Sequence, residues 1–161
     1  MRRRHFLSSL VLSIALSVVS IGPLHANEAT WKVGLASAKI TPEKALWQAG
    51  YGNRDTPAEG KLHDLWIKVL ALEAADGGRA VVLTSDLLGF PKGMYDRICG
   101  RVKKECSLDR SEIMLTATHT HTGPVLAEAL YDVYPLDDAQ RAMIEEYSLA
   151  LEKTVVATIV K

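Results

Sequence analysis

Hydrophobic and polar residues alternate along the first half of the chain in a way that predicts β-strands. Residues 32–40 form one such run, and residues 65–74 and 79–85 form two more, separated by an Asp-Gly-Gly cluster. Two apolar runs joined by a short glycine-containing turn predict a β-hairpin. Residues 41–61, between the first strand and the hairpin, are rich in glycine, proline and asparagine. This composition predicts a long loop, and loops of that length are often functional.

The second half begins with a helical pattern. Residues 91–105 place an apolar side chain at every fourth position from Met94 to Val102, which predicts one helix with an apolar stripe. Residues 112–118 are apolar again and predict another strand. Together with the strand at 79–85, this helix and strand predict a βαβ unit, whose two strands would be parallel.

A long helix is predicted over residues 137–161, with Asp137 as its N-cap. The pattern has no C-cap before the sequence stops, so we expect the chain to be a truncation or a piece of a longer product. The predicted fold class is α/β. We expect a mixed sheet with a β-hairpin and a βαβ unit, helices packed on the sheet, and an incomplete domain.

The N-terminus has the layout of a secretory signal peptide. Three arginines precede an apolar run over residues 6–21, and a small residue, Ala26, closes the segment. This run is shorter than the roughly 20 residues of a membrane-spanning helix. We therefore expect residues 1–26 to be cleaved and the remainder, residues 27–161, to be exported to the periplasm or secreted.

Charge and cysteine content narrow the classes of function. The chain has 19 basic and 19 acidic residues, and loss of the signal peptide would leave 16 basic ones. This balance provides no electrostatic footprint for nucleic acid. Cys99 and Cys106 lie seven residues apart in the predicted helix, which separates their Cα atoms by about 10 Å. A disulfide requires less than about 7 Å, so we expect two free thiols, at least one of them buried.

The segment Thr118-His119-Thr120-His121-Thr122-Gly123-Pro124 is the clearest chemical feature, because it follows directly on a hydrophobic strand. If the strand continued through it, His119 and His121 would share one face and lie about 7 Å apart. One zinc ion could then accept both imidazoles, since each Zn–N bond is about 2 Å long. The other interpretation is a pair of hydrogen-bonded surface histidines.

Three further residues are candidates for the same region. Asp86 follows the strand at 79–85 and could orient a metal-bound histidine, bind the metal directly, or cap the next turn or helix. His63 precedes the first hairpin strand and could either contribute to the pocket or be a structural histidine. Arg54, in the long loop, could bind a polar or anionic group at a pocket rim or could simply be solvated.

Several segments, in order, resemble the neutral or alkaline, non-lysosomal ceramidases. The segment at 119–124 resembles that family's HTHSGPGG-type motif, and residues 34–41 resemble its opening strand. The segments at 50–51, 62–64 and 82–86 resemble its Gly-Tyr loop, its Gly-Ile-His segment and its strand ending in Asp. Val125 departs from the pattern, which has a second glycine there.

The resemblance implies a zinc-dependent amidase that cleaves the N-acyl bond of ceramide to a fatty acid and a sphingoid base. It implies that His119 binds Zn²⁺ and that His121 acts in the catalytic cleft. The family holds zinc with two His, a Glu and a Tyr, whereas this chain has no histidine after His121. Residues 27–161 would then be the N-terminal part of the hydrolase domain and inactive alone. A lipid-like substrate would allow transient contact with a membrane surface, and the oligomeric state stays open.

Two other functions remain open at this point. A barrel-type metal-dependent amidohydrolase also places an HxH pair at the end of a strand. It would, however, require a preceding Pro-Gly and Asp that residues 115–118 lack. The chain could instead be a non-catalytic remnant, or a fragment that binds a partner through its last helix.

Overall fold

The computed structural model of this protein describes residues 30–161, so the predicted signal peptide at 1–26 lies outside the described residues. The strands are β1 (Lys32–Lys39), β2 (Trp66–Glu73), β3 (Arg79–Ser85) and β4 (Ile113–Ala117). The α-helices are α1 (Lys92–Cys106) and α2 (Asp138–Val160), and short 3₁₀ turns occupy Arg110–Glu112 and Tyr131–Val133.

The four strands form one mixed sheet in the order β1-β2-β3-β4. β1 pairs antiparallel with β2, and β2 pairs antiparallel with β3, so the predicted hairpin is confirmed. β3 and β4 are parallel and joined through α1, which confirms the βαβ unit. The two antiparallel pairs are incompatible with the all-parallel strands of a (β/α)₈ barrel, so the barrel-type amidohydrolase is not supported.

The core lies on one face of the sheet. Along β3, Val81, Leu83 and Ser85 are buried, while the residues between them are exposed, as the alternation in the sequence predicts. Ile98 from α1 and Val155 from α2 are fully buried in the same cluster. Both helices therefore cover this face, and the predicted packing of helices on the sheet is confirmed.

α1 runs through Cys106 and ends where Ser107 adopts a left-handed conformation with φ of 58°. A continuous helix across both cysteines keeps their sulfur atoms on separate turns. Both thiols are free, Cys99 is buried and Cys106 is half-buried, which confirms the prediction. Burial raises the pKa of the Cys99 thiol.

α2 begins where the sequence predicted. Asp137 accepts a hydrogen bond from the backbone N–H of Gln140, whose side chain in turn accepts from the backbone N–H of Asp137. The helix docks on the chain's own core through Leu151 and Ile159. Its buried Glu152 is bound by Arg97 of α1, with Nη2 to Oε1 at 2.7 Å. Within residues 30–161, no helix is long and apolar enough to cross a membrane.

Candidate functional site

The candidate site lies at the edge of the sheet where β3 and β4 end and β2 begins. Because β3 is parallel to β4 and antiparallel to β2, these three ends lie together. After β4 the chain stays hydrogen-bonded to the segment that follows β3. Thr118 N–H donates to the Ser85 carbonyl and Thr120 N–H donates to the Leu87 carbonyl, both over 2.9 Å. These two hydrogen bonds fix the histidine-containing segment at the sheet edge.

A close backbone approach completes this arrangement at Gly123. A Cβ atom at this position would lie 3.1 Å from the Asp86 carbonyl oxygen and 3.2 Å from the Leu87 Cα. A side chain here would require the neighbouring backbone to move by a few tenths of an ångström, so glycine favours this close approach. Val125, which replaces the second glycine of the ceramidase motif, is fully buried, and its N–H donates to the Trp47 carbonyl over 2.7 Å.

His119 does not continue the strand, so that part of the sequence interpretation is wrong. β4 ends at Ala117, and His119 has a left-handed backbone with φ of 58°. Its Nδ1 lies 3.0 Å from the Leu88 carbonyl oxygen. Because a carbonyl only accepts, Nδ1 is the donor in this contact, and in the neutral imidazole Nε2 would then carry the lone pair. A neutral imidazole oriented in this way by a backbone carbonyl is typical of metal ligands.

His121 is nevertheless adjacent to His119. The two ring centroids lie 5.0 Å apart, with the planes inclined by 63°. On another side, the Tyr51 ring contacts His121 edge to face, with centroids 4.6 Å apart. The Nδ1 atom of His121 is buried and has no hydrogen-bond partner within the described part of the chain. The site therefore contains the imidazole of His119, which contacts a backbone carbonyl, and the imidazole of His121, whose buried Nδ1 has no hydrogen-bond partner among the described residues.

The long loop between β1 and β2 supplies the wall around His121. An isolated bridge joins Gln48 to Pro124 in the antiparallel sense. Ala49 N–H donates to the Gly123 carbonyl over 2.8 Å. The loop predicted over residues 41–61 is thus confirmed, and its centre is held against the turn that follows the two histidines.

The other predicted site residues contribute in different ways. Asp86 accepts from the backbone N–H of Trp66 over 2.9 Å, which fixes the start of β2. The contact expected of Asp86, orientation of the metal-bound histidine, is made by the Leu88 carbonyl instead. His63 is exposed in the segment that enters β2, on the same sheet edge.

Arg54 is directed into its own loop. Its Nη1 donates to the carbonyls of Gln48 at 2.8 Å and Ala49 at 3.0 Å. Its guanidinium carbon lies 5.1 Å from the centroid of the Tyr51 ring, within the range of a cation–π interaction. Two contacts at this site were missed by sequence reasoning, the Leu88 carbonyl at His119 and the Tyr134 hydroxyl at Gly50. Neither residue carries a local signal, because both act through tertiary contacts.

The described residues would supply at most part of a metal site. His119 Nε2 has the chemistry of a zinc donor, but among residues 30–161 no three His, Cys, Asp or Glu side chains lie close enough together to hold a metal ion. A catalytic zinc needs about three protein ligands. His119 therefore fits as one member of a larger ligand set.

Comparison with known proteins points to the same family. The neutral ceramidase of Pseudomonas aeruginosa is 31% identical over 125 residues, which is 75% of this chain and 18% of the relative. The resemblance to the neutral ceramidases is confirmed. No protein-family model matches the chain.

Two solved structures share the fold. The crystal structure of neutral ceramidase from Pseudomonas aeruginosa superposes with a TM-score of 0.64 at 24% identity, over 82% of this chain and 21% of that one. A ceramidase complexed with C2 gives a TM-score of 0.64 at 25% identity, with the same coverage of 82% and 21%. The ceramidase-like chain thus spans about a fifth of the length of the structures it matches, and its α/β architecture corresponds to part of a larger ceramidase fold.

Proposed function

We propose that this chain forms the N-terminal part of an exported, zinc-dependent hydrolase that cleaves the N-acyl bond of ceramide-like amides. The observation that carries the proposal is the paired arrangement of His119 and His121 at the sheet edge. The similarity to neutral ceramidase over 75% of the chain supports the substrate class. Export to the periplasm or the exterior rests on the signal-peptide layout of residues 1–26.

His119 would be one zinc ligand. Its Nδ1 is committed to the Leu88 carbonyl, so Nε2 is the nitrogen that would bind the metal. Zinc held there would lower the pKa of a water molecule to about 7, which is the activation that attack on an amide carbonyl requires. The remaining ligands would come from the rest of the longer enzyme, because the described residues do not contain a complete set.

His121 would hold and transfer a proton. Its ring lies beside His119 but is anchored by contacts with Tyr51 and Gly50 rather than by a hydrogen bond at Nδ1. A histidine placed next to the reacting carbonyl can donate to the developing oxyanion or to the leaving nitrogen. Asp86 would help indirectly, because its bond to Trp66 N–H fixes the start of β2 at the same sheet edge.

The proposal is tested by hydrolysis of a short-chain ceramide with the longer enzyme that contains this chain. We expect chelation to abolish release of the fatty acid and added Zn²⁺ to restore it. His121→Ala should lower kcat by about 100-fold or more, because positioned acid–base catalysis contributes roughly 10²–10⁴. Ceramide hydrolysis that is unaffected by both chelation and His121→Ala would contradict the assignment. An absence of any hydrolysis by the zinc-loaded enzyme would favour the non-catalytic binding fragment.

A further inference from the structure

The imidazole of His121 is enclosed by a turn in the long loop, and the closest part of that turn is Gly50. A Cβ atom on Gly50 would lie 2.5 Å from Cγ and 2.6 Å from Nδ1 of His121. Gly50 also has a φ of 109°, which side chains rarely tolerate. The backbone of this turn is therefore in van der Waals contact with one face of the ring. Tyr51, the next residue, contacts the ring from a second direction, although its own side chain is 54% exposed.

Arg54 closes the turn from within the loop. One nitrogen, Nη1, donates to two successive carbonyls, those of Gln48 and Ala49, at 2.8 and 3.0 Å. The same guanidinium group lies over the Tyr51 ring, with 5.1 Å between the guanidinium carbon and the ring centroid. Arg54 thus connects the backbone before Gly50 to the side chain after it. Because Nη1 donates to these two carbonyls, Arg54 stabilises the conformation of the turn.

Tyr134 supports the turn from the protein side. Its side chain is almost fully buried, and its hydroxyl accepts a hydrogen bond from the Gly50 N–H over 2.9 Å. The Tyr134 ring packs at a tilt against Trp47, with centroids 5.5 Å apart. This N–H would otherwise be a partly buried donor without a partner in the turn, which is unfavourable.

We propose that Arg54 and Tyr134 are positioning residues, which hold the Gly50–Tyr51 turn against His121 and so keep its imidazole beside His119. The assignment deepens the proposed function, because it explains how a histidine with no hydrogen bond at Nδ1 keeps a fixed place. Contacts on three sides of the ring, from the two residues of the turn and from His119, replace the hydrogen bond that usually orients a catalytic imidazole.

The test is an NMR measurement on the chain itself. Wild type should show nuclear Overhauser cross-peaks from the His121 ring protons to the Gly50 Hα protons and to the Tyr51 ring. Arg54→Met and Tyr134→Phe should each remove or strongly weaken these cross-peaks. Tyr134→Phe deletes a single oxygen atom, so the fold is retained even if Arg54→Met proves unstable.

Matched controls remove the same groups elsewhere. Arg110→Met deletes a guanidinium group that lies 3.9 Å from the Tyr95 ring centroid, and Tyr147→Phe deletes a hydroxyl that donates to the Ile40 carbonyl over 2.6 Å. Both controls should leave the His121 cross-peaks unchanged while lowering thermal stability to a similar extent. Cross-peaks that persist in both Arg54→Met and Tyr134→Phe overturn the proposal. Equal loss of the cross-peaks in the controls overturns it as well, because the effect would then be general destabilisation.

The same variants in the longer enzyme separate this inference from the proposed function. Arg54→Met and Tyr134→Phe should retain bound zinc and lower kcat with little change in KM, since they move the imidazole of His121 and leave the His119 Nδ1 bond in place. One outcome is that Arg54→Met and Tyr134→Phe lose the cross-peaks while the wild-type longer enzyme binds no zinc. That outcome would refute the zinc hydrolase and leave the positioning role intact. The opposite outcome is that the longer enzyme binds zinc and hydrolyses its substrate while the cross-peaks are unaltered in both variants. That outcome would refute the positioning role and leave the zinc hydrolase intact.

Discussion

Replacement of Gly50 by alanine should destabilise the chain through a collision with one identified ring. The added methyl carbon would lie 2.5 Å from Cγ and 2.9 Å from Cδ2 of His121. These atoms cannot easily move away, because Tyr51 and His119 contact the same imidazole. The backbone at Gly50 also has a φ of 109°, so the substitution combines backbone strain with steric overlap.

The two contributions are of similar size, and a control at a second glycine separates them. A residue with a side chain in a sparsely populated backbone region costs about 1–3 kcal/mol. Overpacking in a closely packed site costs typically about 1–3 kcal/mol more. Gly77 provides the matched control, since it has a φ of 87° and a Cβ atom there would meet nothing within 4 Å. Gly77→Ala should therefore show the strain alone, and the difference between the two variants should be about 1–3 kcal/mol.

Urea denaturation followed by tryptophan fluorescence measures both free energies of unfolding. The double variant Gly50→Ala/His121→Ala completes a mutant cycle, because removal of the ring removes the atom that the new methyl group meets. We expect a coupling energy of about 1–3 kcal/mol in favour of the double variant. If Gly50→Ala costs no more than Gly77→Ala, or if the cycle shows no coupling, the proposed contact between the turn and His121 is refuted.

Changes at four further positions test the fold around the site by the same denaturation assay. Asp137→Ala removes the N-cap of α2 and should cost about 1 kcal/mol, whereas Asp137→Asn should cost much less, and equal losses would argue against the capping role. Leu83→Ala, at a fully buried position of β3, should cost about 2–5 kcal/mol. Leu35→Ala, at a side chain that is 81% exposed, should change stability by less than about 0.5 kcal/mol. Ser107→Gly should stabilise the chain by up to about 1 kcal/mol, because glycine adopts the left-handed end of α1 without strain, and a loss of stability would contradict that assignment.

The strands and helices could be predicted because their signals are local. β3 alternates buried and exposed residues along its whole length, and α2 begins at a capping box formed by Asp137 and Gln140. The hairpin and the βαβ unit follow from turn length and element order. These features depend on neighbours in sequence, so one sequence suffices to identify them.

The conformation of His119 could not be predicted in the same way. It stands between two threonines, and β-branched residues favour extended backbone, so local preference suggests that the strand continues. Hydrogen bonds from the 118–120 segment to the Ser85 and Leu87 carbonyls, together with the Leu88 carbonyl at Nδ1, accompany the change of direction. Those partners lie about thirty residues earlier in the chain, where no local pattern indicates them.

The wall of the site shows the same limit. Arg54 was identified as a residue near a pocket rim, yet nothing in its sequence neighbourhood indicates that its donors go to the carbonyls of Gln48 and Ala49. Tyr134 is separated from Gly50 by 84 positions and contacts it through a single hydroxyl. The candidate residues His119 and His121 are visible as a motif in the sequence, whereas the contacts of Arg54 and Tyr134 become visible only once the loop is seen folded onto the sheet edge.

The most direct test of the account is the zinc content of the longer enzyme, measured by mass spectrometry after extensive dialysis, in wild type, His119→Ala and His121→Ala. We expect about one zinc ion per catalytic domain in wild type, as in sites with three protein ligands and one open position. His119→Ala should lose the metal, because it removes the nitrogen that the Leu88 carbonyl directs, while His121→Ala should retain it. Zinc content that is unchanged in His119→Ala would contradict the assignment of this imidazole as a metal ligand.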